Sequence, residues 1–120
     1  MIAREFFQGR RSIRRYTAQP VPAEALARLL EAARWAPSAH NRQPWRFALL
    51  RAAELKARLA EQMGARLRAD RLADGDPAEA VERDVARSRA RIADAPAVVV
   101  LCLSMAEMDA YPDRRRKKAE

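Results

Sequence analysis

The sequence has few of the residues that build disulfides or metal sites. It has one cysteine, Cys102, and one histidine, His40. One thiol cannot form an internal disulfide, and these two side chains are too few for a cysteine- and histidine-ligated metal site. We therefore predict no disulfide and no metal centre.

The chain also lacks a long apolar run. No stretch approaches the roughly 20 apolar residues that a membrane-spanning helix needs. Residues 1–11 lack the continuous apolar segment of a secretory signal. We expect a soluble, cytoplasmic protein with no membrane partner.

The bulk composition suits one domain over residues 1–120. The 120 residues are 49% hydrophobic, and the net charge is +8, an excess that could serve nucleic acid, a membrane surface or a phosphate ester. Most arginines fall in helical segments among acidic residues, the usual composition of a solvated helix face. Composition alone leaves these alternatives open.

The spacing of apolar residues and the residue types at helix ends predict four helices. The first runs over residues 2–8, with Gly9 ending it in a left-handed conformation. The second starts at Pro22 as a first-turn proline and stops near Ala36. A third has apolar residues from Leu55 to Leu67 and ends before Gly75, and a fourth runs from Pro77 to about Ile92 with Asp76 as its capping acid.

Two strands complete the predicted elements. Residues 45–50 form a short aromatic and apolar strand, and residues 97–103 form a valine-rich run typical of a strand covered on both faces. Residues 37–44 form a polar loop between prolines. The fold class is therefore α+β.

Two segments have the residue types of a ligand site. Arg10, Arg11, Ser12 and Arg14 could converge on a dianion, since the guanidinium fork matches phosphate oxygens, although a solvated arginine surface is the commoner explanation of such a cluster. Asn41 and Gln43 offer amide donors and acceptors. His40, a lone loop histidine, is more often a packing or surface residue, so no side chain is assigned as general acid or base, and Trp45 is interpreted as a core anchor.

In their order and spacing, the motifs RRSIRRY and APSAHNRQPWRF resemble the N-terminal part of the nitroreductase family, whose members depend on flavin mononucleotide (FMN). The resemblance implies a nitroreductase-like sandwich with a helix-covered central sheet, which we expect to stop after its first central strand. It implies a homodimer with FMN at the interface. One subunit would hold the phosphate and ribityl region, and the partner's loop would approach the flavin. The residues implicated are Arg10, Arg11, Ser12 and Arg14 in the first motif, Pro37, Ser38, Ala39, Asn41 and Gln43 in the second, and Arg91, with Ser88 a weaker match, in the helix before the central strand.

The resemblance also implies an activity. Hydride would pass from NAD(P)H through FMN to a small acceptor such as a nitroaromatic, a quinone, a flavin or a deazaflavin precursor. Residues 67–120 are similar to the nitroreductase-like domain joined to glutamate ligases of deazaflavin-coenzyme biosynthesis. Two alternatives are a small basic nucleic-acid-binding module, which would use residues 10–15 and 114–118, and a non-functional fragment of the oxidoreductase. We expect no nucleic-acid partner, because the basic residues are not interleaved with aromatics.

Overall fold

The structure, a computed structural model, describes residues 3–106. These residues form two units, one of residues 3–21 and 50–98 and the other of residues 22–49 and 99–106. The predicted basic run 114–118 lies outside the described residues, as does Ile2 of the first predicted helix.

The first unit begins with a short helix, α1 (Ala3–Gly9), followed by an exposed segment without regular structure. None of the α1 side chains is buried. The prediction that Gly9 ends this helix in a left-handed conformation is wrong: Gly9 is the last helical residue, and among the described glycines only Gly75 has a positive φ. Instead, the Arg10 N–H donates to the Phe7 carbonyl over 3.4 Å, a tight final turn that does not need a left-handed residue.

A helical hairpin of α3 (Ala53–Ala73) and α4 (Ala78–Asp94) forms the core of this unit. Gly75, at φ 85°, ends α3: its own N–H donates to the Leu72 carbonyl and the Asp76 N–H to the Arg71 carbonyl. This pair of bonds is a Schellman motif, which needs a left-handed residue at the position of Gly75. The predicted end of the helix before Gly75 is confirmed.

Small and β-branched residues let α3 and α4 approach closely. The side chains of Val81 and Val85 on α4 are fully buried, and Ala60 is 3% exposed on α3. Gly64 lies against α4, where an added Cβ would come within 3.0 Å of the Arg89 Cγ and Cδ atoms and 3.3 Å of the Val85 Cγ1 atom. The hairpin therefore leaves no free space at Gly64.

Ion pairs cover the outside of the hairpin, as predicted for a solvated helix face. Arg68 binds Glu82 in a bidentate pair of 2.6 and 2.8 Å, and the hydrogen bond from Arg68 lowers the pKa of Glu82. Hydrogen bonding from Arg71 likewise lowers the pKa of Asp84. The remaining pairs of this face are Arg66–Asp70, Arg71–Asp76, Arg83–Glu79, Arg87–Asp84 and Arg89–Glu61.

Two charged side chains, Asp76 and Lys56, lie near the two ends of α4 and bind partners that the sequence did not predict. Asp76 does not cap α4, since Pro77 holds the N-cap position without a side-chain bond; Asp76 binds Arg71 at 2.6 Å instead, because a charge-assisted bond is available there. Lys56 of α3 is 8% exposed, and its Nζ donates to the Ala95 carbonyl over 2.6 Å. Lys56 thus neutralises the negative end of α4.

The second unit contains α2 (Ala23–Arg34), a single 3₁₀ turn (Ala39–Asn41) and most of a two-stranded sheet. Pro22 is the N-cap of α2 rather than a first-turn residue, and its carbonyl accepts from the Leu26 N–H over 3.2 Å. Leu26 is the buried residue of α2. The helix ends at Arg34, close to the predicted stop near Ala36.

The sheet pairs β1 (Trp45–Leu50), as predicted, with β2 (Val98–Leu103). The Ser104 N–H donates to the Pro44 carbonyl over 2.7 Å, so the strands are antiparallel and Trp45 lies opposite Leu103. The prediction that the second strand is covered on both faces is wrong. Its alternate residues Val99, Leu101 and Leu103 are 36%, 62% and 61% exposed, because in the described residues one face of the sheet is covered less than the other.

Four α-helices and a two-stranded antiparallel sheet within residues 3–106 confirm the α+β class. None of the helices within residues 3–106 is long and apolar enough to cross a membrane.

Candidate functional site

The arginine-rich segment after α1 brings two guanidinium groups to one serine. The Arg10 Nη1 donates to the Ser12 Oγ over 3.3 Å, and the Arg14 Nη1 donates to the Ser12 carbonyl over 3.5 Å. All three residues are exposed. Arg10 and Arg14 thus both bond to Ser12, and convergence of these groups on a dianion stays a prediction.

Arg11 is oriented differently. Its Nη1 donates to the Gln8 carbonyl over 2.7 Å and to the Arg10 carbonyl over 2.9 Å. Carbonyl groups at the end of a helix lack intrahelical partners and attract cations. Arg11 therefore stabilises the end of α1 instead of joining Arg10 and Arg14 at Ser12.

The guanidinium groups of Arg10, Arg11 and Arg14 have no acidic partner among the residues that the structure describes. Within residues 3–106, none of Arg10, Arg11 and Arg14 lies at ion-pair distance from a carboxylate, whereas Arg68 and Arg71 of the hairpin are bound to one or two. An uncompensated cluster of guanidinium groups with an adjacent hydroxyl can accept a dianion through charge-assisted bonds.

The polar loop of the second unit adopts an unusual backbone. His40, Asn41 and Gln43 have positive φ angles of 52°, 50° and 49°. The Asn41 N–H donates to the Ser38 carbonyl over 3.0 Å, and the Gln43 N–H donates to the Ser38 Oγ over 3.0 Å. Three left-handed residues that are not glycine mark a strained segment of the kind that collects at ligand sites.

The predicted loop residues differ in exposure. Pro37, Ala39 and Asn41 are exposed, whereas Ser38 and Gln43 are half-buried and bonded to each other. The structure thus brings Ser38 and Gln43 together and leaves the Asn41 side chain at the surface.

Arg91 lies in the last turn of α4 and is half-buried. Ser88 is half-buried on the same helix, one turn earlier, and side chains three positions apart share a helix face. In the described part of the chain Arg91, like Arg10 and Arg14, makes no ion pair.

A surface cavity of about 340 Å³ lies beside the loop in the second unit. It is lined by Arg34, Gln43, Trp45, Arg46 and Phe47. Trp45, interpreted from the sequence as a core anchor, is only half-buried, and its Nε1 is buried without a partner in the part of the chain that the structure describes. Sequence reasoning missed Arg34, Arg46 and Phe47; strand alternation could have placed Phe47 on the same face as Trp45.

Comparison with known proteins shows which family this chain belongs to. The model of the nitroreductase family matches residues 7–120. The chain belongs to the nitroreductase family. The resemblance of the arginine segment and the polar loop to that family is confirmed, and with it the nitroreductase-like α+β fold.

Relatives of this nitroreductase-family chain are longer than it is. It is 36% identical over 104 residues to an NADH dehydrogenase of Thermus thermophilus, a match that covers 87% of this chain and 40% of the relative. It is 51% identical over 41 residues to 5,6-dimethylbenzimidazole synthase of Rhodospirillum rubrum, covering 34% of this chain and 19% of the relative. The chain thus spans well under half of the length of each of these relatives.

Proposed function

We propose that this chain contributes the phosphate-binding segment and the flavin loop of an FMN-dependent NAD(P)H oxidoreductase. Membership of the nitroreductase family supports the reaction class. The name of the Thermus relative, an NADH dehydrogenase, supports a reduced nicotinamide as electron donor. The observation that carries the proposal is the meeting of Arg10 and Arg14 at Ser12, with no carboxylate of residues 3–106 at ion-pair distance from either guanidinium group.

The phosphate of FMN fits this cluster on chemical grounds. A phosphate monoester carries close to two negative charges at neutral pH and three acceptor oxygens. Arg10 and Arg14 supply guanidinium forks, and Ser12 supplies a hydroxyl that can donate to an oxygen. Arg11 would join them only by giving up its bonds to the Gln8 and Arg10 carbonyls, so we assign it the weaker share of phosphate binding.

The loop would shape the flavin pocket. In the proposed homodimer, Pro37, Ser38, Ala39, Asn41 and Gln43 approach the flavin bound by the partner subunit. The exposed amide of Asn41 offers both a donor and an acceptor to the polar edge of the ring system. Arg91 would place a positive charge near the same ring.

When bound, FMN would supply the redox chemistry, hydride transfer from NAD(P)H to a small acceptor such as a nitroaromatic or a quinone, and Arg10, Ser12 and Arg14 would hold its phosphate. The side chains of this chain bind and orient the cofactor. We assign none of them a proton-transfer role. A cytoplasmic setting, where NAD(P)H is available, is part of the proposal.

A reductive assay tests the activity. The chain is supplied with FMN and a quinone, and oxidation of NADH is followed by its absorbance. The double variant Arg10→Gln and Arg14→Gln should lose most of the FMN-dependent rate, whereas Arg58→Gln, an exposed arginine of α3, removes one charge from another surface and should retain it. NADH oxidation no faster than with free FMN would contradict the proposed activity for this chain.

A further inference from the structure

The backbone of Gln43 has a conformation that its own sequence disfavours. Its φ is 49°, in the left-handed region that a residue with a Cβ avoids. Gln43 also precedes Pro44, and a residue before proline normally adopts an extended conformation. Contacts from outside the dipeptide must therefore hold Gln43 in place.

Two side chains supply those contacts, one on each side of Gln43. The Gln43 N–H donates to the Ser38 Oγ over 3.0 Å. The Gln43 carbonyl accepts from the Arg46 Nη1 over 3.4 Å, and the same Nη1 donates to the Trp45 carbonyl over 2.9 Å. The backbone donor and acceptor of Gln43 are thus both fixed by side chains.

Ser38 also controls the turn between these residues. Its carbonyl accepts from the Asn41 N–H over 3.0 Å, so one serine fixes two of the three left-handed residues. Ser38 itself is extended, at φ −141° and ψ 155°, a conformation that a β-branched residue adopts readily. Threonine could therefore replace serine and keep the acceptor.

We propose that Ser38 and Arg46 are positioning residues that hold the loop of residues 37–44 in its left-handed conformation before any ligand binds. They fix the Gln43 backbone and, through the Ser38 carbonyl, the turn that carries the exposed amide of Asn41. Arg46 has no other assigned role. The ligand side of this inference rests on the proposed flavin function, whereas the bracing itself does not.

Amide hydrogen exchange of Gln43, followed by NMR on the FMN-free chain, tests the brace. Ser38→Ala should speed this exchange roughly tenfold, the factor equivalent to a neutral hydrogen bond, and Ser38→Thr should restore the slow rate. Arg46→Gln should also speed it, whereas Arg28→Gln, an exposed arginine of α2, removes the same charge and should not. Unchanged exchange in Ser38→Ala, or no rescue by threonine, would overturn the proposal.

FMN affinity separates the brace from the proposed function. If both are right, Ser38→Ala weakens FMN binding and Ser38→Thr restores it, in parallel with the exchange rates. If exchange responds and FMN affinity does not, the brace stands and the assignment of this loop to flavin is wrong. If affinity falls while exchange is unchanged, Ser38 acts by direct contact and the brace is refuted.

Discussion

Replacing Gly64 by alanine should have two opposite effects on the free energy of unfolding: a gain in helix propensity and a loss from overpacking. In a helix interior, alanine is favoured over glycine by about 1 kcal/mol. At Gly64, however, the new methyl would lie 3.0 Å from the Arg89 Cγ and Cδ atoms and 3.3 Å from the Val85 Cγ1 atom, and overpacking of a core costs about 1–3 kcal/mol. We expect Gly64→Ala to destabilise the chain by roughly 0–2 kcal/mol, the difference between these terms.

The aliphatic part of the Arg89 side chain determines whether Gly64→Ala stabilises or destabilises the chain. Arg89 is tied to Glu61 by an ion pair, so its stem cannot move away without losing that contact. Truncation by Arg89→Ala removes the two closest atoms and leaves only the 3.3 Å approach to Val85. In that background, Gly64→Ala should become neutral or stabilise by up to about 1 kcal/mol.

Urea unfolding of the four chains of this cycle measures both numbers. Gly9→Ala is the control, because a Cβ at Gly9 meets no atom within 4 Å. A coupling of about 1 kcal/mol or more between positions 64 and 89 is expected, as for residues in contact. If Gly64→Ala stabilises the unaltered chain by the full helix-propensity difference, the close packing of α3 against α4 is wrong.

Two further perturbations concern the first unit, and a third measurement tests the nucleic-acid alternative. The pKa of Asp84 is lowered by its hydrogen bond to Arg71, so its stabilising effect is present above its unfolded pKa of about 4 and is lost as the pH falls through the folded value; acid titration of stability should be shallower in Asp84→Asn, and identical profiles would contradict this. Lys56→Met leaves the Ala95 carbonyl without its donor and should cost about 1–3 kcal/mol of unfolding free energy; a loss below the error of urea unfolding would count against it. Fluorescence anisotropy should detect no saturable binding of an oligonucleotide near physiological salt, whereas binding that weakens steeply with added salt would favour the nucleic-acid alternative.

Local patterns in the sequence were sufficient for most of the elements. Apolar periodicity predicts α3, the proline and acidic residues at the start of α4 predict that helix, and the aromatic and apolar run predicts the bounds of β1. Local patterns gave a wrong prediction where a contact with a residue outside the local segment determines the structure. Asp76 has the residue type of a cap but binds Arg71, and β2 has the composition of a doubly covered strand but exposes Leu101. The residues around Asp76 do not predict its bond to Arg71, and the composition of β2 does not predict how much of each face is covered.

In the candidate site, too, some features could be predicted from the sequence and others could not. Arg10, Ser12 and Arg14 meet because they are two residues apart, which their spacing already suggested. Arg11 instead donates to the Gln8 and Arg10 carbonyls at the end of α1, which the spacing of the arginines did not indicate. The left-handed Gln43 contradicts the rule for a residue before proline, and the role of Arg46 is visible only once that conformation is known. Assignment of one domain to residues 1–120 remains a prediction.

Comparison of FMN with riboflavin tests the central claim most directly, because the two flavins differ only in the phosphate that Arg10 and Arg14 are proposed to bind. Quenching of flavin fluorescence gives both Kd values. The chain should bind FMN more tightly, by roughly tenfold to a hundredfold, the equivalent of one charge-assisted hydrogen bond of about 1.5–3 kcal/mol. Arg14→Gln should reduce that preference without weakening riboflavin. Equal affinities for the two flavins, or a preference unchanged by the variant, would contradict the assignment of this arginine cluster to the phosphate.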